Sequence, residues 1–346
     1  MAIGRVISGQ PLNEAEESFN NSLRPQQLGE CIGQSNVREK LGIAIEAAKQ
    51  RGEPLEHILF YGPPGLGKTT LAHVVANEMG ARIRCSSGPA LVKAGDVMGL
   101  LSSVSTGDIL FIDEIHRLST TVEEFIYPAM EDFKVDYTVD SGLHAKTINF
   151  PLKRFTLIGA TTRAGLLSAP LRSRFGMLYH LQFYNTEELT EILARSAELL
   201  QLECEEGTLE LIAGRSRGTP RIANRLLKRV RDYAQVKGSG ILSADIVENA
   251  LKMEQIDALG LDHLDRAFLK ALVNIYDGGP AGIEAIAATL GEERDTLEDV
   301  VEPYLLQIGF VRRTKRGREI TPQARDHLGL KPPRSKAPKD EPALFE

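Results

Sequence analysis

The chain has 346 residues, 42% of them hydrophobic and 25% charged, with a net charge of −6 and three cysteines. That length accommodates two or three domains with their own cores, and no run approaches the ~18 apolar residues of a membrane span. The acidic balance argues against a general polyanion binder, so any contact with nucleic acid must come from local basic patches.

The first ~20 residues lack the apolar core of a signal peptide and read as a flexible arm. Cys31, Cys85 and Cys204 are widely spaced with no CxxC. They are expected to be reduced thiols packed in the cores of a cytoplasmic protein, with no metal or redox role. Leu23-Arg24-Pro25 precedes Ile32-Gly33-Gln34 and a helix over 35–50, for which Ser35 is the expected N-cap.

His57 to Tyr61 is a short apolar run that reads as a buried strand, and it leads into Gly62-Pro63-Pro64-Gly65-Leu66-Gly67-Lys68-Thr69-Thr70. A helical pattern follows over Leu71 to Met79 and is closed by Gly80. This is G-x-x-x-x-G-K-[ST] in its required strand–loop–helix setting. Glycines let successive N–H groups turn inward, and the helix N-terminus adds partial positive charge. The stretch predicts binding of a nucleoside triphosphate, with Lys68 on the β- and γ-phosphates and the Thr69 hydroxyl on Mg²⁺.

Ala81 to Cys85 is a candidate second strand, and Asp108-Ile109-Leu110-Phe111-Ile112-Asp113-Glu114 a stronger one that ends in two carboxylates. The spacing from Lys68 to Asp113 leaves room for one intervening strand–helix unit. Thr120 to Glu123 opens a helix with capping-box spacing. From Phe133 to Phe150 polar and apolar residues alternate around Asp140-Ser141-Gly142, which reads as an inserted β-hairpin. Phe155 to Thr161 returns to a buried strand, and Leu178 to Leu181 is the last.

Strands alternating with helices predict an α/β fold, a parallel sheet covered on both faces. From Asn185 onward only helices fit, over 186–201, 207–216, 220–236 and 243–253, with Asn185 and Ser243 as caps. After Asp257, helices over 262–276, 283–290 and 293–307 precede a basic hairpin over 309–320 with its turn at Arg316-Gly317. Helices followed by such a hairpin make a winged-helix pattern. The expected domains are thus 1–184, 185–256 and 257–330. The tail over 331–346, with Pro332, Pro333, Pro338 and Pro342, has the composition of disorder.

Asp113 and Glu114 end their strand where an open α/β sheet binds ligands. Asp113 would hold Mg²⁺ together with Thr69, and Glu114 would polarise the water that attacks the γ-phosphate. Thr161 and Thr162 end the next strand; either could report the γ-phosphate, and spacing does not choose between them. Arg172 and Arg174 stand near the end of a short helix, where charge alone reads as an ordinary surface ion pair. Arg221 lies in the first turn of a helix after Pro220, a position at which a cation opposes the helix dipole unless an anion is near.

Taken together, GPPGLGKTT, LFIDEIHRL, IGATTR, LRSRFG and GTPRIANR resemble the AAA+ ATPases. AGDVMGLL, YPAMEDF and GEERDTLEDVVEPYL narrow this to the RuvB family, the motors of Holliday-junction branch migration in bacteria, from about Leu23 to Leu330. The flanking arm and tail match no family motif.

The resemblance implies ATP and Mg²⁺ as ligands, with Leu23 and Arg24 on the adenine and ribose side. Gly65, Lys68, Thr69 and Thr70 would hold the phosphates, and a threonine of IGATTR would be the first sensor. Arg174 would reach into the next subunit's site, Arg221 would be the second sensor, and Glu131, Asp132, Phe133 and Tyr184 would adjoin the nucleotide. Arg294, Arg313 and Arg318 match positions on the DNA backbone. The partners implied are duplex DNA in a four-way junction, RuvA docking on the hairpin at 134–150, the RuvC resolvase, and five further copies in a homohexameric ring. The competing expectation is a nucleotide switch of the clamp-loader kind, which shares the ATPase core; the winged helix and the hairpin favour the motor.

Overall fold

The computed structural model describes residues 22–139 and 146–329, and over 137–139 and 146–148 the backbone alone. The expected flexible arm, the Asp140-Ser141-Gly142 turn and the tail from Lys331 lie outside the described residues. The chain divides into two compact units, 1–260 and 261–346.

In the first unit, α1 (Ser35–Arg51) leads to β1 (Ile58–Tyr61), α2 (Lys68–Met79), β2 (Ile83–Ser87), α3 (Ala94–Ser102), β3 (Ile109–Asp113) and α4 (Thr120–Glu131). An antiparallel pair, β4 (Lys134–Val139) and β5 (Lys146–Pro151), interrupts the alternation before β6 (Thr156–Thr161), α5 (Ala169–Ser173) and β7 (Met177–His180). The main sheet has the order β2-β3-β6-β1-β7, with every pairing parallel. The inserted strand–helix unit between Lys68 and Asp113 is β2 and α3.

Covering on both faces explains the continuous apolar runs, because neither side of a central strand meets water. Ile58, Phe60, Phe111 and Ile158 pack against Leu41 and Ile45 of α1 and Val74 and Val75 of α2. Leu59, Leu110, Ile112 and Leu157 face the other way, onto Val97 of α3, Val122 and Ile126 of α4 and Leu171 of α5. The registers Tyr61↔Thr161 and Ile112↔Gly159 bring the C-terminal ends of β1, β3 and β6 to one edge. That edge carries the glycine loop, the two carboxylates and the two threonines.

Two caps differ from expectation. Gln34, not Ser35, is the cap of α1, in the left-handed region at φ 50°, and its side chain is engaged elsewhere. Its Nε2 donates to Gln182 O at 2.6 Å and its Oε1 accepts from Gln182 N at 3.1 Å. Ser119, not Thr120, caps α4, its Oγ accepting from Val122 N at 3.4 Å. With the cap at Ser119 the third helical residue is Val122, so Glu123 falls one place too late to close a capping box. Cys31 is buried and Cys204 half-buried, but Cys85 is exposed rather than packed in a core, because β2 is an edge strand.

Four helices follow within the same unit: α6 (Thr186–Leu199), α7 (Thr208–Gly214), α8 (Pro220–Lys237) and α9 (Ala244–Met253). Asn185 and Glu188 form a reciprocal capping box for α6, and Ser243 caps α9 through Ile246 N. Leu193, Ile212, Leu226, Val230 and Leu251 fill their core.

The second unit opens with α10 (His263–Asn274) and α11 (Ile283–Leu290). A helical run over 294–307, α12, is α-helical at Arg294–Thr296, π-helical at Leu297–Val301 and α-helical again at Glu302–Gln307. The hairpin of β8 (Val311–Thr314) and β9 (Gly317–Ile320) and a last helix, α13 (Pro322–His327), complete a winged-helix domain around Phe268, Leu272, Ile286 and Phe310. The hairpin turns at Lys315-Arg316, one residue before the expected Arg316-Gly317. Gly317 instead pairs with Thr314 at φ 140°, where a Cβ would stand 2.3 Å from Ala281 O. Its glycine serves close backbone approach rather than the turn. Among the described residues no helix is long and apolar enough to cross a membrane.

Candidate functional site

The glycine loop runs from the end of β1 into α2 and opens on a cavity of about 470 Å³. Gly62 has φ 139° and a Cβ there would meet Leu181 O at 2.5 Å, so only glycine lets the loop leave the strand beside β7. Gly65 and Gly67 also take positive φ, at 79° and 96°. Lys68 is the first residue of α2, and its Nζ donates to Gly62 O and Pro63 O, both at 2.8 Å. Burial pushes its ammonium down to about 8, against the pull of the Asp113 carboxylate; Arg221 adds to the lowering. A bound polyphosphate would relieve that cost by supplying opposite charge.

Thr69 Oγ1 donates to Asp113 Oδ2 at 3.4 Å, across from the loop to the end of β3. A hydroxyl and a carboxylate so placed make an oxygen pair of the kind Mg²⁺ takes while keeping several waters. Asp113 Oδ1 accepts from Glu114 N at 2.8 Å, which fixes the carboxylate's orientation. Glu114 sits in the left-handed region at φ 47°, an uncommon conformation for a residue with a side chain. Strain of this type is held where surrounding structure over-determines it, often at functional sites. Arg117 Nη1 donates to Glu114 Oε2 at 3.1 Å, a half-exposed ion pair.

Of the expected ligand residues, Leu23, Arg24, Gly65, Lys68, Thr69, Thr70, Asp113, Glu114, Thr162, Tyr184 and Arg221 line this one cavity. Arg221 arrives on α8, with its backbone N donating to Gly65 O at 3.4 Å. Tyr184 Oη donates to Leu66 O at 3.3 Å, and burial holds the phenol far above its usual range. The geometry separates the two threonines. Thr162 faces the cavity, whereas Thr161 is buried with its Oγ1 2.9 Å from His116 Nδ1 and accepting from Arg163 N at 3.0 Å.

Glu131, Asp132, Phe133 and Arg174 are not brought to the cavity. Arg174 Nη2 instead pairs with Glu131 Oε2 at 3.0 Å, and its guanidinium lies 4.5 Å over the Tyr127 ring. Asp132 pairs with Lys134 at 2.9 Å, and Phe133 stacks edge-on with Phe155. Sequence reasoning also missed Arg38, Arg195 and Asn224, which line the cavity. Arg195 Nη1 donates to Leu23 O at 3.0 Å and Nη2 pairs with Glu30 at 3.2 Å, tying α6 to the segment before α1. No local motif marks such residues; only an arginine on a helix that turns out to face the loop does.

In the winged-helix domain the three expected DNA-facing arginines are ion-paired. Arg294 pairs with Glu284 at 3.2 Å and with Glu298 at 3.3 Å. Arg313 and Arg318 converge on Glu302, Arg318 Nε donating to Oε1 at 2.8 Å. Burial would raise the Glu302 carboxyl, but hydrogen bonds from Arg318 and Arg313 outweigh it and hold the group below its ordinary range.

Family models place these features together. The Holliday junction DNA helicase RuvB P-loop domain matches residues 23–181, the RuvB AAA lid domain 184–257, and the RuvB C-terminal winged helix domain 258–329. Among solved structures, a Thermotoga maritima RuvB described as a Holliday junction branch migration motor is 52% identical over 90% of this chain and 100% of its own, with a TM-score of 0.83. Two single-substitution forms of the Thermotoga protein match at 52% and 53% identity, each with a TM-score of 0.84, over 90% of this chain and 100% and 99% of theirs. With P-loop, lid and winged helix all matched in order along the described chain, the protein belongs to the RuvB family.

Proposed function

We propose that the chain hydrolyses ATP to drive branch migration of Holliday junctions, as a homohexameric ring on duplex DNA with RuvA docked on the hairpin at 134–150. RuvC would act on the same junction. The observation that carries the reading is the single cavity in which Lys68, Thr69, Asp113 and Glu114 from the sheet edge meet Arg221 from the helical domain.

Lys68 and the loop N–H groups would hold the β- and γ-phosphates, with Leu23, Arg24 and Tyr184 on the base and sugar side. Thr69 and Asp113 would hold Mg²⁺, which when bound neutralises charge on the phosphates. Glu114 would take the proton of the attacking water, and Thr162, by its exposure to the cavity, is the better placed sensor. Arg221, carried on α8, would register loss of the γ-phosphate as movement of the helical domain. Arg174, outside its own chain's cavity, would serve the neighbour's, with Glu131, Asp132 and Phe133 at the same boundary.

The test is a synthetic four-way junction incubated with the protein, ATP, Mg²⁺ and RuvA, read as separation into two duplexes. Separation that RuvA enhances and Lys68→Ala abolishes is the expected result. Robust ATP hydrolysis and DNA binding without separation would overturn the motor in favour of a nucleotide switch.

A further inference from the structure

A guanidinium that acts across a subunit boundary must be aimed before the partner arrives, since a misplacement of about 1 Å can cost on the order of 10²-fold in rate. An arginine side chain left to itself is not aimed. Arg174 is the C-cap of the five-residue helix α5, just past its last residue, and Glu131, its carboxylate partner, is well exposed, so that ion pair alone orients it weakly.

A second contact does more. The Arg174 guanidinium lies over the face of Tyr127, 4.5 Å from the ring centroid, and Nη1 donates to Pro170 O at 2.8 Å. Arg174 Nε is buried there with no hydrogen-bond partner. Tyr127 is itself tethered: its Oη donates to Glu123 Oε2 at 2.9 Å, and Glu123, four residues back on the same face of α4, is only 7% exposed. The carboxylate also accepts from Ser168 Oγ, the hydroxyl that caps the start of α5 through Leu171 N at 3.3 Å. One buried carboxylate therefore fixes both the ring under Arg174 and the N-cap of the short helix that Arg174 ends. Burial raises the Tyr127 phenol, so it stays a donor.

We propose that Tyr127, anchored by Glu123 and Ser168, is the positioning residue that aims Arg174 at the neighbouring subunit's nucleotide. This rests on the reading of Arg174 as a group given in trans.

The experiment measures DNA-stimulated ATP hydrolysis by the full chain in a double-mutant cycle of Tyr127→Leu and Arg174→Ala, with nucleotide affinity measured separately by titration of a fluorescent ATP analogue. Tyr127→Leu should lower kcat roughly 10- to 100-fold. KM and analogue affinity should stay within about twofold, since the subunit's own cavity is untouched. In the Arg174→Ala background the same change should have no further effect on kcat, because there is nothing left to aim. Tyr127→Phe keeps the ring and removes the tether, so its loss should be smaller; if Tyr127→Leu fails to fold, Tyr127→Phe carries the cycle. Equal kcat losses in both backgrounds, or wild-type kcat for the Tyr127 variants beside an impaired Arg174→Ala, would overturn the positioning role alone. Wild-type kcat for Arg174→Ala would overturn the trans reading itself, and the positioning role with it.

Discussion

Arg318 Nε donates to Glu302 Oε1 at 2.8 Å, and the Glu302 side chain is wholly enclosed while Arg318 keeps only 13% of its side-chain surface exposed. An arginine so committed is part of the domain's frame before it is part of any DNA contact. Arg313 reaches the same carboxylate from the more exposed side of β8. Breaking a buried charged pair leaves an uncompensated charge, which is why one partner's loss is so costly. Arg318→Ala is therefore expected to destabilise the winged-helix domain by about 1.5–3 kcal/mol, the range for hydrogen bonds to a charged group, with Arg313 still in place. Denaturant unfolding checks this.

Arg312, by contrast, is 67% exposed on its side chain, and its ion pair with Glu319 is long at 3.9 Å. Lys315 and Arg316 form the exposed turn. Phosphate contacts from such groups set affinity and its salt dependence without reading sequence. Arg312→Ala should change domain stability by less than about 0.5 kcal/mol. It should also reduce the slope of log affinity against log salt for duplex DNA by about one unit. Fluorescence anisotropy across a salt series measures it; an unchanged slope would remove Arg312 from the interface.

Of the two carboxylates at the end of β3, Asp113 accepts from Thr69, and Glu114 lines the cavity beside it. Glu114→Gln should keep nucleotide affinity near wild type and lower the hydrolysis rate by about 10²–10⁴, the usual contribution of a positioned base. Assembled, nucleotide-bound rings should accumulate. Steady-state turnover and a binding titration on the same sample check the pair of expectations, and unchanged turnover would refute the base.

Arg174→Ala subunits mixed with wild type test the shared site directly. If each Arg174 serves the neighbour, a single variant subunit silences a wild-type site, so activity should fall faster than the wild-type fraction. A straight line against that fraction would mean that each site is complete within one chain.

The glycine loop was readable because its chemistry is contiguous: Gly62, Gly65 and Gly67 supply the positive φ angles, and Lys68 and Thr69 follow at once. Asp113 was readable because a strand that is apolar to its last residue has only one place to put a carboxylate. Which of Thr161 and Thr162 faces the cavity was not, since it depends on where β6 ends and on His116 standing against the Thr161 hydroxyl. Nor was the carboxylate beneath the wing. Glu302 precedes Arg313 by 11 residues and Arg318 by 16, and no periodicity links a helix to a hairpin folded back on it. Gly317 shows the same limit, since a turn glycine and a close-approach glycine look alike in sequence.

Acid should dismantle the two units in sequence, for two different reasons. His57 Nε2 lies 3.0 Å from Met130 O, so it carries the proton and donates, while Nδ1 accepts from Leu157 N at 2.9 Å; the ring is thereby neutral, joining the start of β1 to α4 and β6. Burial lowers its pKa below the ordinary 6.5, against the pull of the Met130 carbonyl and Glu56. A lowered folded-state pKa means that the unfolded chain binds the proton more readily. The stabilisation from His57 is thus complete above 6.5 and is lost as pH falls from there through the lowered value. Glu302 is also lowered, but from 4.5, so its contribution to the winged helix persists until pH drops below that point. Thermal unfolding followed from pH 7.5 to 3.5 should show the transition of the sheet-bearing unit weakening first and that of the winged helix only near the end. His57→Gln should flatten the first slope and leave the second in place; a first slope unchanged by the substitution would assign it to other groups.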